Sequence, residues 1–254
     1  MFANERQDII LNKLNTNGSI TVSELVKDFQ VSIETVRRDL ETMENQGLLT
    51  RVHGGAISIK DDSPFLDVNK RVMENRDLKL EACLTAINYL APGDFIGLDS
   101  GTTATIFAEL LKEHPVRNIT IVTQSVFTYS ILADTPGIRV ITLGGEYNSK
   151  EQIFCGALTE GFYKQFHFTK SFIVPSAISL ENGIQDFIIV SYNFQKYMLE
   201  ASDESFIICD STKFGKSGTL KLSDLSDEYT IITDSNLSDD LCEKLVKTGI
   251  KILR

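Results

Sequence analysis

The sequence lacks an excess of basic residues, the usual compositional feature of nucleic-acid-binding domains. Its 254 residues contain 25 Lys and Arg against 35 Asp and Glu, a net charge of −10. This average argues against nucleic acid as a partner, unless the basic residues are concentrated in one region. Internal repeats and low-complexity segments are also missing, and 42% hydrophobic with 24% charged residues is the composition of a folded globular protein.

Long apolar runs and paired cysteines are missing too. No apolar run approaches the roughly 18 residues of a membrane-spanning helix, so we expect no membrane association. The first residues do not combine a basic segment with an apolar stretch, so we expect no signal peptide and a cytoplasmic protein. The four cysteines are far apart and show no metal-ligand spacing. We therefore expect reduced thiols, with no disulfide, metal or other cofactor.

Residues 1–60 differ in pattern from the rest of the chain. Three short helical patterns are followed by two short extended segments that flank a Gly-Gly pair. Three helices and a small hairpin predict a winged helix-turn-helix domain over residues 1–60. Charged and polar residues dominate 61–77, which we interpret as a linker that runs into a helix. The predicted helices span 4–15, 23–29 and 33–46.

From residue 78 to the end, short apolar runs alternate with helical patterns. This alternation predicts an α/β fold over 78–254, in which a mostly parallel sheet carries helices on both faces. The predicted strands are 95–98, 119–122, 140–143, 172–174, 206–209, 229–232 and 250–253. The predicted helices are 78–90, 104–112, 126–132, 158–166, 194–202 and 239–247.

The third predicted helix has the pattern of a recognition helix. Four apolar residues would share one face and pack on the first two helices: Ile33, Val36, Leu40 and Met43. Polar residues of its first turn and a half would then face DNA, where Arg contacts guanine or phosphate and Ser or Thr contacts phosphate. A bare arginine pair is often only a solvated surface feature, but here a glycine-rich wing follows it. The candidate DNA-binding residues are Ser32, Thr35, Arg37, Arg38, Arg51 and His53.

The basic residues of this region are few, but they are concentrated on the predicted recognition helix and wing. Residues 1–60 contain seven basic and eight acidic side chains. Four of the seven basic residues fall on the predicted recognition helix and wing, at Arg37, Arg38, Arg51 and Lys60. The local concentration of charge therefore answers the objection raised by the overall composition.

The segment VSIETVRRDL at 31–40, followed by GLLTRVHGGA at 47–56, resembles the DeoR family of bacterial transcriptional regulators. The resemblance implies that Arg37 and Arg38 contact DNA and that the wing carries Arg51 and His53. Asp39, inside the same motif, is expected to be structural, either pairing with a neighbouring arginine or capping.

Polar or glycine-containing loops follow four of the predicted strands. The carboxyl ends of parallel strands meet at one edge of a sheet, where open α/β sheets bind ligands. The loop 99–103 places hydroxyls and backbone N–H groups at a helix start, which suits a phosphate, although such residues often only cap the helix. The candidate effector-binding residues are Asp99, Ser100, Gly101, Thr102, Thr103, Thr123, Gln124, Gly144, Gly145, Asp210 and Lys213.

The family resemblance continues through these loops. It implies a sensor domain similar to ribose-5-phosphate isomerases, with the phosphate loop at 99–103 and the sugar site near Asp210 and Lys213. The implied ligand is a phosphorylated sugar whose charge Lys213 neutralises, while Asp99 and Asp210 reach its hydroxyls.

Three positions depart from the family pattern. Relatives commonly have Asp where this chain has Thr169-Lys170, Asn where it has Gln124, and an acidic residue and a lysine within the segment that reads VSYNFQK at 190–196, which includes Ser191. Enolisation needs a positioned carboxylate base, so these departures argue against an enzyme.

We therefore expect a DNA-binding transcriptional regulator, a repressor of a carbohydrate uptake or catabolic operon. A phosphorylated sugar would modulate its affinity for double-stranded operator DNA, and the protein would act as a homo-oligomer, a dimer or tetramer. Two alternatives stay open: a sugar-phosphate isomerase-like enzyme, and a regulator whose degenerate sensor does not respond to ligand. An isomerase has no need of the winged N-terminal motif.

Overall fold

The computed structural model consists of two compact units, Met1–Leu66 and Asp67–Arg254. Within the second unit, Val68–Met73 and Arg76–Ala86 are helical. The described part of the predicted linker, 68–77, is therefore part of the second unit; its charged side chains resemble a solvated linker, but Val68 is buried. Residues 61–67 lie outside the described residues. The residues described by the structure are 3–17, 19–45, 48–52, 54–58 and 68–254.

The first unit is a winged helix-turn-helix, as the sequence predicted. Three helices are joined to an antiparallel sheet of three strands in the order β1-β3-β2. Strand β1 was not predicted, because three residues are too few to show an alternating pattern. The elements are α1 (Ala3–Asn17), β1 (Ser19–Thr21), α2 (Val22–Phe29), α3 (Ile33–Asn45), β2 (Leu49–Val52) and β3 (Gly55–Ser58).

A capping box fixes the start of α2. The Thr21 hydroxyl accepts a hydrogen bond from Glu24 N at 3.2 Å, and the Glu24 carboxylate accepts one from Thr21 N at 2.8 Å. Val36 and Met43 of α3 are buried in the core of this unit, as predicted. Ile33 is 46% exposed, contrary to prediction, because it is the first residue of α3 and only one side of it is covered by the helix that follows.

A buried ion pair joins α1 to α3. The Arg6 guanidinium donates from Nε to Asp39 Oδ2 at 2.7 Å and from Nη2 to Asp39 Oδ1 at 3.0 Å. Only 6% of Asp39 is exposed. The expectation that Asp39 is structural and pairs with an arginine is confirmed.

The second unit is built on a parallel sheet of seven strands in the order β15-β14-β12-β9-β4-β5-β6. Each predicted strand is present, with ends that differ by up to four residues. These strands are β4 (Phe95–Leu98), β5 (Ile119–Thr123), β6 (Ile138–Thr142), β9 (Phe168–Ile173), β12 (Ser202–Ile208), β14 (Tyr229–Ile232) and β15 (Lys251–Leu253).

Helices cover both faces of this sheet, which confirms the predicted α/β architecture. Successive strand residues face opposite sides: Phe206 packs in one apolar core and Ile207 in the other. The helices are α4 (Val68–Met73), α5 (Arg76–Ala86), α6 (Thr102–Glu113), α7 (Val126–Leu132), α8 (Ala157–Tyr163), α9 (Ile189–Glu200) and α10 (Asp239–Val246). No helix in the described part of the chain is long and apolar enough to cross a membrane.

Two small antiparallel sheets accompany the main sheet and were not predicted. Their strands have only three or four residues, several of them polar. One is a hairpin of β7 (Glu146–Asn148) and β8 (Ile153–Cys155); the other contains β10 (Ala177–Ser179), β11 (Gly183–Asp186) and β13 (Leu220–Ser223).

Replacing Asp39 by Ala removes the carboxylate from the buried Arg6 guanidinium. We expect Asp39→Ala to lower the free energy of unfolding of the first unit by about 3 kcal/mol, measured by urea unfolding of the full chain. The matched control is Asp28→Ala, which removes an ion pair with Lys13 whose side chains are both 38% exposed. The control should cost under about 1 kcal/mol. Equal losses in the two variants would contradict the structural role of Asp39.

Candidate functional site

The start of α3 presents the predicted DNA-contacting residues. Thr35 N donates to Ser32 Oγ at 3.2 Å, and the two hydroxyls lie 3.0 Å apart, so Ser32 caps the helix. Arg37 and Arg38 follow on the exposed side of α3. Capping uses only part of the hydrogen-bonding capacity of these hydroxyls, and the helix start still offers polar groups beside two exposed arginines.

The wing lies beside this helix. Arg37 of α3 and Arg51 of β2 line the same shallow surface depression. Glu44 holds the wing in place, because its carboxylate accepts a hydrogen bond from Arg51 N at 2.8 Å and lies 3.9 Å from the Arg51 guanidinium. His53, also predicted to contact DNA, lies outside the described residues. The structure thus brings Arg37 and Arg51 onto one face.

The loop at 99–103 lines a cleft at the carboxyl edge of the parallel sheet. Gly101 is the N-cap residue of α6 and provides no side-chain cap, whereas Ser125 and Ser238 cap α7 and α10. The alternative that the hydroxyls of this loop merely cap the helix is therefore wrong. A Cβ on Gly101 would lie 2.3 Å from Val174 Cγ2, so only glycine fits. The backbone N–H groups of the first turn of α6 are therefore left without a side-chain cap.

The cleft collects side chains from distant parts of the chain. Six of the predicted effector-binding residues line it: Asp99, Ser100, Gly101, Thr102, Thr103 and Lys213. Ser191 and Gln195 also line it, and both belong to segment 190–196, which the sequence analysis singled out as a departure from the family pattern. Sequence reasoning missed the others, which are Arg71, Glu74, Asn75, Lys79, Glu151, Val174, Pro175, Ser176, Asp186 and Ile188.

One part of the cleft is cationic. Lys79 is buried, and its ammonium donates to the carbonyl oxygens of Arg71 at 2.6 Å and Glu74 at 2.7 Å. Burial lowers the pKa of Lys79 to about 8, with the nearby Lys213 ammonium contributing in the same direction. Arg71 pairs with Glu151. Three cationic side chains beside the first turn of α6 suit an anionic ligand group.

The other part of the cleft holds two buried carboxyl groups. Asp99 accepts hydrogen bonds from Ser100 N at 2.7 Å and Val174 N at 3.0 Å. Asp186, at the end of β11, accepts from the Ser176 hydroxyl at 2.8 Å and from the backbone N–H groups of residues 187 and 188. The Gln195 amide nitrogen lies 2.9 Å from both carboxyl groups. Burial raises the pKa of Asp99 to about 6.

Both units match described protein families. Residues 6–62 match the DeoR-like helix-turn-helix domain, and residues 74–235 match the DeoR C-terminal sensor domain. The chain belongs to the DeoR family. It is therefore a DNA-binding transcriptional regulator, and the predicted family membership is confirmed.

Relatives of this DeoR-family protein match over nearly their whole length. It is 34% identical to an L-fucose operon activator of Haemophilus influenzae, with 95% of this chain and 97% of that protein covered. It is 31% identical to a lactose phosphotransferase system repressor of Lactococcus lactis, with 94% of each chain covered. Among solved structures, it is similar to ribose 5-phosphate isomerase A of Neisseria gonorrhoeae, with 18% identity, a TM-score of 0.40 and coverage of 54% and 53%.

Five predicted effector-binding residues of this DeoR-family protein are not among the residues that line the cleft. Gln124 donates to the Ser100 hydroxyl at 3.2 Å, and the Thr123 hydroxyl accepts from residue 125. Gly144 and Gly145 are exposed; the Gly144 carbonyl accepts from Thr159, beside which Gly145 packs. Both loops follow strands of the main sheet, as predicted, but their polar groups hold neighbouring segments.

Asp210 is the fifth of these residues. It is fully buried and does not line the cleft. Its carboxylate accepts from Thr212 N at 3.1 Å and so fixes the short 3-10 turn Ser211–Lys213. Asp210 therefore positions Lys213. The expectation that Asp210 itself contacts ligand hydroxyls does not fit its buried position.

Only some of the positions that depart from the family pattern lie in the cleft. Thr169 and Lys170 lie at the start of β9, where Lys170 Nζ is 2.9 Å from Asp94 Oδ2, at the opposite end of the strand from the cleft. Our interpretation of this position as a lost acid/base group is wrong. Ser191 and Gln195 do line the cleft.

The raised pKa of Asp99 makes stability depend on pH. The folded protein binds this proton more tightly than the unfolded chain, whose Asp pKa is 3.8, so stability is lost as pH rises from about 4 through 6. Relative to Asp99→Asn, the wild-type free energy of unfolding should fall by about 3 kcal/mol over this range. Urea unfolding at a series of pH values measures the difference, and parallel curves for the two proteins would contradict it.

Proposed function

We propose that the protein represses a carbohydrate uptake or catabolic operon and that a phosphorylated sugar, bound in the cleft at the start of α6, changes its affinity for operator DNA. The uncapped first turn of α6 carries this proposal, because it lies beside Lys79 and Lys213 and offers backbone N–H groups to a phosphate.

Relatives named for sugar operons support the choice of carbohydrate genes. Those relatives include both repressors and an activator. Repression is the more economical mechanism for a chain whose exposed recognition helix and wing need only occupy the operator. We place this action in the cytoplasm, where operator DNA is found.

DNA binding by a homo-oligomer, a dimer or tetramer, fits the recognition helix. A single short helix reads few base pairs, and two-fold related helices reach successive major grooves about 34 Å apart. Ligand changes operator affinity to the extent that it binds the two conformations of the oligomer differently.

We also propose that the cleft binds its ligand without isomerising it. Asp99 and Asp186, its two buried carboxyl groups, each accept hydrogen bonds from backbone N–H groups and from Gln195. Enolisation requires a carboxylate that is free to take a proton from the substrate. Turnover of pentose or hexose phosphates at ordinary enzyme rates would contradict this proposal.

Replacement of Arg38 tests the DNA interface. We expect Arg38→Ala to cost about 1–3 kcal/mol on operator DNA if the arginine reads a base, and to weaken all sequences alike with a flatter salt dependence if it contacts phosphate. The control Lys112→Ala removes one positive charge from an exposed position of α6. Fluorescence anisotropy with operator and unrelated DNA measures both effects. Equal affinities of wild type and Arg38→Ala would remove this residue from the interface.

Replacement of Lys213 tests the effector site. Pentose and hexose phosphates are first screened for the largest rise in the melting temperature of the full chain, since ligand binding stabilises the folded state. Lys213→Ala should abolish the response of operator binding to that compound and leave operator affinity without ligand unchanged. Lys216→Ala, three residues along the same loop and exposed, should respond like wild type. A normal response of Lys213→Ala would exclude its ammonium from the site.

A further inference from the structure

The residues that line the cleft differ in hydrogen-bonding character as well as in charge. The first turn of α6, Lys79 and Lys213 supply hydrogen-bond donors. Asp99, Asp186 and Gln195 supply acceptors, and we call these three residues the acceptor end of the lining. The lone pairs and protons that these three residues already use determine which ligand groups they can bind.

Gln195 is the central residue of the acceptor end. It is only 2% exposed and it lines the cleft. Its Nε2 lies 2.9 Å from Asp99 Oδ2 and 2.9 Å from Asp186 Oδ2. Ionised carboxylates only accept hydrogen bonds, so this contact fixes the orientation of the amide and uses both of its N–H groups. The remaining atom, Gln195 Oε1, is buried and has no hydrogen-bond partner in the described part of the chain.

The hydroxyls around Gln195 are committed elsewhere. Ser176 donates to Asp186 Oδ1 at 2.8 Å, and Ser191 donates to the carbonyl oxygen of Ile188 at 3.1 Å. Val174 N is taken by Asp99. Among the described residues at this end, no donor remains to satisfy Gln195 Oε1.

A buried acceptor without a protein partner carries a desolvation penalty, and a donor supplied by a ligand removes that penalty. A ligand group that only accepts hydrogen bonds leaves the penalty in place. If that group is negatively charged, it is also repelled by Asp99 and Asp186.

We propose that Gln195 determines effector specificity by accepting a hydrogen bond from a hydroxyl or ammonium group of the ligand other than its phosphate. The inference rests on the proposed function, since it assumes that the phosphate lies at the start of α6. It assigns the effector to aldose phosphates or amino-sugar phosphates and excludes the corresponding aldonic acid phosphates, whose additional carboxylate would share the cleft with Asp99 and Asp186.

The test compares phosphate esters that share a carbon skeleton and differ at the end remote from phosphate. The hexose set is glucose 6-phosphate, glucosamine 6-phosphate and 6-phosphogluconate; equivalent aldose and aldonate pairs are made for galactose, mannose, ribose and arabinose. Each compound is titrated into the full-length protein by calorimetry, with inorganic phosphate as the reference. The hydroxyl and ammonium members of each set distinguish the two donor types.

We expect at least one aldose or amino-sugar phosphate to bind at least about tenfold more tightly than its aldonate partner. Equal or tighter binding of the aldonate would overturn the role of Gln195 and leave the proposed function intact. If no phosphate ester binds more tightly than inorganic phosphate, the proposed function fails and this inference fails with it.

The variant Gln195→Lys provides a second, independent readout. An ammonium between Asp99 and Asp186 replaces the unpartnered acceptor with a cation, so the variant should accept the aldonate and lose its preference for the aldose or amino-sugar phosphate. Lys196→Gln, at the next position of α9 and partly exposed, should keep the wild-type preference. An unchanged preference in a folded Gln195→Lys variant would overturn the proposal. If this variant does not fold, the comparison of aldose and aldonate phosphates on the wild-type protein still tests the proposal.

Discussion

The N-terminus of α6 leaves backbone N–H groups without a side-chain cap, and the organisation of the sensor unit follows from this constraint. Gly101 has no room for a Cβ because Val174 lies against it. Asp99 accepts hydrogen bonds from Val174 N and Ser100 N, and so ties the end of β4 to β9. The first turn of α6 is thereby held at the carboxyl edge of the parallel sheet, the edge at which open α/β sheets bind ligands.

The helices that begin the sensor unit complete the cleft. The buried ammonium of Lys79, in α5, donates hydrogen bonds to one backbone carbonyl within α4 and one just after it. Asn75, in the turn between these helices, donates to the Thr212 hydroxyl at 3.4 Å and so connects the turn to the loop that carries Lys213. A ligand at the start of α6 would therefore lie beside α4 and α5, the helices that begin the second unit.

Sequence patterns predicted the parts of the structure that depend on neighbouring residues in the chain. Capping, helical spacing and alternating strands identified the winged helix, the parallel sheet and the loop at 99–103. They missed Lys79 and Asp186, because a lysine on a charged helix and a carboxylate in a four-residue strand both have the pattern of surface residues. Segment 190–196 was noted as a departure from the family pattern, but nothing in its pattern predicted a role for Gln195. Gln195 meets a carboxyl group 96 positions away only through the sheet topology. The same topology removes Thr169 from the site, at the other end of its strand.

Regulation of this kind requires that the effector and the operator bind one protein at two coupled sites. Coupling of this kind is reciprocal: the factor by which ligand changes operator affinity equals the factor by which operator changes ligand affinity. The most direct test is calorimetric titration of the effector into the full-length protein, free and saturated with operator DNA. The account predicts two different dissociation constants, with a ratio equal to the shift in operator affinity measured with ligand. Identical dissociation constants in the two titrations would contradict it.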